Sequence, residues 1–339
     1  MLFDNQRALW LWMFSAQAER TWADALRTAQ TLAGAGVLLV KAMDGRRWMS
    51  DFDNAPAAIY GPKALRGLQQ LGAAQGCSVV PWVVAHGRDD APAHAALGQT
   101  LVVDLEPYPG FWTDATDGVP LYLAALRAGG VREIYVSVDP RPPALAALAV
   151  AGWAAQTTAI LPQCYWTDFG LAAEICLGQI AACARLDVPV VPVLPGDGAA
   201  GYAGFWPAAR ALGCNGVCGW RLGSMDAAAL SAFAALDVAP PPDPCAALRD
   251  QIAALTGERD QLAATLDRVR AALTPVPSPV IGRGELRSGG GRLKASPLAG
   301  WALWPHPQTP SPSRSRGARC QSHGEGEAAV PVLDWPSAP

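Results

Sequence analysis

A (β/α)8 barrel of the TIM type is the fold this sequence predicts, and three observations predict it. Eight short apolar runs recur between residues 9 and 220, segments with three-to-four-residue apolar spacing separate many of them, and most of the runs are apolar throughout. Continuous apolarity marks strands covered on both faces, as in a parallel sheet wrapped by helices. The units fill about 235 residues, close to the ~250 typical of such a barrel.

The runs follow in order. Leu9 to Phe14 opens the series and is followed by helical spacing over Thr21 to Ala33; Val37 to Val40 is followed by Pro62 to Ala74. Ser78 to Val84 leads to Leu101 to Val103, the fourth run, and Leu121 to Ala128 is the next helical segment. Glu133 to Val138 precedes Ala159 to Cys164 and the helical spacing of Leu171 to Arg185. Val188 to Leu194, the helical Tyr202 to Leu212 and Gly216 to Trp220 complete the set. Gly76 and Gly213 stand where a helix must stop before the next strand. A doubly wound open sheet is the competing architecture, but no glycine-rich phosphate loop follows the first run.

The barrel is expected to span residues 1–237, with a proline-rich linker at 238–246. From 247 to 273 the apolar residues Leu248, Ile252, Leu255, Leu262, Leu266, Val269 and Leu273 step by three and four, interrupted at Arg259. That pattern fits a short coiled coil, and so a homo-oligomer through this segment, or equally an amphipathic helix folded against the barrel. Residues 274–339, rich in Pro, Gly, Ser and Arg, have too few clustered apolar side chains to offset the entropy of ordering and are expected to be disordered.

Composition narrows the function. With 51% hydrophobic and 16% charged residues, a formal charge of −3 and a pI near 5.8, the chain offers no basic field to draw nucleic acid. No apolar run approaches the ~18 residues of a membrane span. The stretch Ala8 to Phe14 loosely imitates a secretory signal, but Asp4 spoils its basic end and its removal would delete the first strand. The expectation is a cytoplasmic protein by default, with secretion open. Eight dispersed cysteines read as buried thiols rather than a zinc site, and neither a metal nor a cofactor is expected.

Chemistry concentrates at Asp104-Leu105-Glu106, which closes the fourth run. Strand alternation puts both carboxylates on one face, at the barrel end where this architecture keeps its reactive groups. Along an extended strand they would stand roughly one repeat apart, ~7 Å, between the separations of retaining and inverting glycosidases. Lys41 with Asp44, His86, Gln163 with Tyr165 and Trp166, and Trp220 sit at the ends of other runs. Aromatic faces beside carboxylates and amides suit sugars, whose C–H faces stack on rings while their hydroxyls take directional hydrogen bonds. Lys41 is placed to pair with Asp44 or Glu106. Asp139 and Asp197 read as turn or cap residues.

Two segments carry a resemblance. Val37-Leu38-Leu39-Val40-Lys41-Ala42-Met43-Asp44-Gly45 resembles the second-strand segment of family 25 lysozymes, and Asp104-Leu105-Glu106 their fourth-strand Asp-x-Glu. Gln163-Cys164-Tyr165-Trp166 and Gly216-Val217-Cys218-Gly219-Trp220 resemble the sixth and eighth strands of family 18 chitinase-like barrels. The resemblance implies a glycoside hydrolase-type barrel acting on a polysaccharide, with an amino-sugar polymer as one candidate. In it Glu106 is the general acid/base, Asp104 its partner, Tyr165 a support for the reacting sugar and Trp220 the floor beneath it. The chain departs from family 25 at Leu11-Trp12-Met13, where those enzymes carry an aspartate, and from the chitinase motif at Val102. A carbohydrate-binding or assembly protein that does not cleave its ligand is the alternative.

Overall fold

A computed structural model of the chain describes residues 1–239 and 246–273. The chain divides into two units, Met1–Ala264 and Thr265–Pro339, and in the second only the helical residues 265–273 are described. Residues 240–245 of the expected linker and the expected tail at 274–339 lie outside the described residues.

Eight parallel strands form the ring: β1 (Arg7–Leu11), β2 (Val37–Asp44), β4 (Ser78–Val84), β5 (Thr100–Asp104), β6 (Glu133–Val138), β7 (Ala159–Pro162), β8 (Val193–Pro195) and β9 (Val217–Trp220). The short β3 (Arg47–Trp48) only folds back on β2. Neighbours run β7-β6-β5-β4-β2-β1-β9-β8, and isolated bridges Ile160–Val190 and Gln163–Val193 join the two ends. The helices are α1 (Trp22–Arg27), α2 (Pro62–Ala74), α3 (Ala91–Ala95), α4 (Gly118–Ala128), α5 (Pro142–Ala147), α6 (Ala173–Ala184), α7 (Ala199–Ala211) and α8 (Ala227–Ala234). The expected eight-stranded β/α architecture is the observed one.

The strands sort their side chains by parity. Leu9, Leu38, Val40, Val83, Val103, Val136 and Ile160 point outward into the layer shared with the helices. Ala8, Trp10, Val37, Leu39, Val80, Trp82, Val102, Tyr135, Leu161 and Cys218 point inward and fill the barrel. Toward the carboxyl ends the inward positions turn polar. Lys41, Asp104, Ser137 and Gln163 are all buried there. Register holds them level, because Asp104 pairs with Ser137 across β5–β6 and with Val84 across β4–β5.

Three differences from the sequence pattern have physical causes. The first strand stops at Leu11 rather than Phe14, because buried Asp53 accepts the Phe14 amide at 2.6 Å and draws the chain into a turn. The seventh apolar run is strand only at Val193 and Leu194, with one bridge at Val190, since Pro189 and Pro192 remove ladder donors. Helices α3, α5 and α8 span only 5, 6 and 8 residues, too short for a periodic signal. The expected appendage at 247–273 meets the 28-residue helix α9 (Ala246–Leu273), on which Ile252, Leu255, Leu262, Leu266, Val269 and Leu273 are exposed. No helix among the described residues is long and apolar enough to cross a membrane. The six cysteines among those residues are buried free thiols; Cys245 and Cys320 lie outside them.

Candidate active site

A cavity of about 360 Å3 opens at the carboxyl end of the ring, lined by Asp104, Glu106, Gln163, Lys41 and Asp44 on its polar side and by Trp12, Trp82, Phe111, Tyr165 and Trp220 on its aromatic side. That volume lies at the low end of the ~300–1,000 Å3 typical of ligand pockets.

β5 ends at Asp104, so Glu106 belongs to the loop that follows and no longer obeys strand spacing. The spacing of one strand repeat therefore no longer applies, and the two carboxyls come close enough to share one amide. One amide holds both: Gln163 Nε2 donates to Asp104 Oδ1 at 3.0 Å, to Glu106 Oε1 at 2.7 Å and to Ser137 Oγ at 3.1 Å. Asp104 is 6% exposed, whereas Glu106 is only partly buried and reaches the cavity.

Burial and then the adjacent Glu106 push the Asp104 carboxyl well above the usual range, against the pull of Lys41 and of hydrogen bonds from Ser137 and Gln163. Burial also raises Glu106, and Asp139 raises it further, while Gln163, Arg141 and Asp104 pull it down. Two crowded acids in a low-dielectric pocket retain a proton between them more readily than either would in water. Burial likewise keeps the Tyr165 phenol protonated, helped by the negative charge of Asp104 and Glu106.

The remaining charges are occupied. Lys41 Nζ bonds Asp44 Oδ2 at 2.8 Å and lies over the rings of Phe52 and Trp82, so it pairs with Asp44 and not with Glu106. Asp44 is fixed by the β2–β3 hairpin, whose first turn residue, Gly45, takes φ 54° and presents its carbonyl to buried His94 at 2.7 Å. Asp139 receives Arg141 through Nε at 2.9 Å and Nη2 at 2.6 Å, and Tyr108 also donates to it. That ion pair exceeds the turn role expected of Asp139. Burial and the Asp139 contact push the Tyr108 phenol up to about 12.

Trp220 packs on Trp10 and Trp82 at ring separations of 5.5 and 6.1 Å and stacks with Tyr165 at 5.9 Å and 29°. Gln163, Tyr165, Trp220 and Lys41 thus converge with the two acids. Trp166 does not. It lies in the turn after β7, buried against Tyr202 and Phe205 and outside the cavity lining, so its expected sugar contact is withdrawn. His86 is outside the lining as well; its Nε2 approaches Asp44 Oδ1 at 2.8 Å without hydrogen-bond alignment, so it can act only through Asp44. The sequence reading missed Trp12, Trp82 and Phe111. The parity of Trp10 and Lys41 was the available signal for the first two.

Among the described residues no group of three His, Cys, Asp or Glu side chains is arranged to hold a metal. No protein-family model and no curated protein matches the chain. Solved structures similar to it include the class V chitinase of Nicotiana tobaccum, at TM-score 0.48 and 10% identity over 70% of this chain and 99% of that one. A chitinase from Chromobacterium violaceum ATCC 12472 gives TM-score 0.46 and 13% identity, covering 70% of this chain and 99% of that one. The β-mannanase of Thermomonospora fusca, in complex with mannotriose, gives TM-score 0.46 and 15% identity over 64% of this chain and 78% of that one. These neighbours are glycoside hydrolases on β/α barrels.

Proposed function

We propose that the protein hydrolyses glycosidic bonds in a polysaccharide of 2-acetamido sugars, with Glu106 as the general acid and base. The observation that carries the reading is the pair Asp104 and Glu106, bridged by the Gln163 amide, in an aromatic-walled cavity. An acid that must protonate a leaving oxygen near neutral pH needs a raised pKa, and at Glu106 burial supplies it, with Asp139 adding to it against the pull of Gln163, Arg141 and Asp104.

The substrate class follows from which carboxylates are free. A two-carboxylate mechanism needs a nucleophile or base ~5–9.5 Å from the acid on the other face of the sugar. Asp104 is buried and held by Gln163, Asp139 is held by Arg141, and Asp44 is held by Lys41. A substrate carrying its own nucleophile removes the need. The acetamido carbonyl oxygen of the reacting sugar attacks C1 as Glu106 gives its proton to the departing oxygen. The resulting Glu106 carboxylate then takes a proton from the water that reopens the oxazolinium at C1. Asp104 holds the shared proton toward or away from Glu106 as that charge changes. Tyr165, kept neutral, can donate to the acetamido group, and Trp220 supports the ring.

One observation favours glycan binding without cleavage. The Gln163 amide donates to both carboxylates and so stabilises their ionised forms. The test is release of reducing ends from chito-oligosaccharides by the full chain, beside Glu106→Gln. Cleavage abolished in the variant with binding retained supports the hydrolase; binding without product from either protein selects the alternative.

A further inference from the structure

Arg221 directly follows the floor tryptophan, and its guanidinium lies 4.5 Å from the centre of the Trp12 ring and 5.8 Å from that of Trp220. Its backbone is anchored. The Arg221 amide donates to Ser224 Oγ at 3.0 Å, the Ser224 hydroxyl donates back to the Arg221 carbonyl at 3.1 Å, and the amide of buried Leu222 donates to Trp10 O at 2.8 Å. The side chain is in a different position from the other cations of this mouth. Lys41 and Arg141 are matched by Asp44 and Asp139, whereas the Arg221 guanidinium makes neither a hydrogen bond nor an ion pair among the described residues. Exposed Asp168 attracts it without forming an ion pair.

Trp12 and Trp220 both line the cavity that holds the acids, and the unmatched guanidinium, itself outside that lining, lies against both rings, within reach of a chain that extends past Trp220. A guanidinium seated over an aromatic ring keeps its planar fork of donors pre-organised, and a carboxylate is the group that matches that fork bidentately. Neutral hydroxyls would use the donors singly, and the carboxylate of Asp168 attracts the guanidinium without engaging its fork. The positive charge also offsets the repulsion that an anionic glycan would meet from Asp104 and Glu106.

We propose that Arg221, seated on Trp12, forms a subsite beside the Trp220 floor that binds a carboxylate on the sugar chain, making an anionic glycan the preferred ligand. The carboxylate can be that of a hexuronate or of a lactyl ether on an amino sugar. The inference rests on the reading of this mouth as a glycan site.

The experiment is calorimetry on the full chain carrying Glu106→Gln, so that nothing turns over. Three oligosaccharides of equal length are titrated: an unsubstituted N-acetylglucosamine oligomer, one bearing lactyl ethers, and one containing hexuronate. One of the two acidic oligomers should bind about tenfold more tightly than the neutral one. Arg221→Gln should erase the difference between acidic and neutral oligomers, and Arg221→Lys, which keeps the charge without the fork, should restore part of it. Which acidic oligomer is preferred identifies the source of the carboxylate. Equal affinities for all three, or a preference that survives Arg221→Gln, overturn the subsite and leave the glycan reading standing. Failure of all three to bind overturns both.

Discussion

Tyr165 and Trp166 are adjacent in the chain, and the barrel wall separates them. Tyr165 faces inward with Glu106, Gln163 and Trp220 around a cavity; Trp166 faces outward into the packing of α7, against Tyr202 and Phe205. The same contrast runs around the ring, where the outward residues are apolar apart from Arg7 at the start of β1 and the uppermost inward ones are Lys41, Asp104, Ser137 and Gln163. Polar groups are tolerated on the inner face because each finds a partner there, and an aromatic ring means one thing on one face and another on the other. Substitutions on the inner face should therefore change chemistry at nearly constant stability, and those on the outer face should do the reverse.

The largest expected effect is on the inner face. Glu106→Gln should lower turnover by about 10²–10⁴-fold, the usual worth of a positioned general acid, with the melting temperature nearly unchanged. Turnover within a factor of two of the parent would end the role assigned to Glu106. On the outer face, Trp166→Ala should cost about 3–5 kcal/mol of stability in chemical denaturation, because a buried indole is removed from a packed layer. If it folds as stably as the parent and loses only glycan affinity, the two faces have been assigned the wrong way round.

Asp104 sharpens the comparison through pH. Its carboxyl is held well above the usual range in the folded protein, so above that ordinary range the native state still binds a proton the unfolded chain has released. The stability conferred by that proton is complete in acid and is lost as pH rises through the folded value. Asp104→Asn should remove this dependence, raising the melting temperature at pH 8 relative to pH 5 by about 2–4 °C over the parent. An unchanged difference between the two pH values would show that Asp104 is not carrying the proton. His86→Ala should have the smallest effect, within about 0.5 kcal/mol in stability, since its ring is partly exposed and makes no aligned hydrogen bond.

The fold was legible because parallel strands covered on both sides leave unbroken apolar runs, such as Val37 to Val40 and Ser78 to Val84. It was illegible where prolines thinned β8 and where α3 and α5 made a single turn or little more. For the site, Asp104, Glu106, Gln163, Tyr165 and Trp220 could be found from their places at strand ends. Their contacts could not, because the end of β5 at Asp104 decides how far Glu106 swings toward its neighbour. Trp166 was misassigned for a related reason. A run end names a region of the barrel, whereas the turn after β7 decides which side of the wall Trp166 takes.

The claim on which the rest depends is that Asp104 and Glu106 share a buried, proton-retaining space at the mouth. Carbon-13 NMR titration of the Glu106 carboxyl in the full chain, beside the same measurement in Asp104→Ala, addresses it directly. The Glu106 midpoint should lie above that of an ordinary glutamate and move higher still when the Asp104 carboxyl is removed. An ordinary midpoint that does not respond to loss of Asp104 would contradict it.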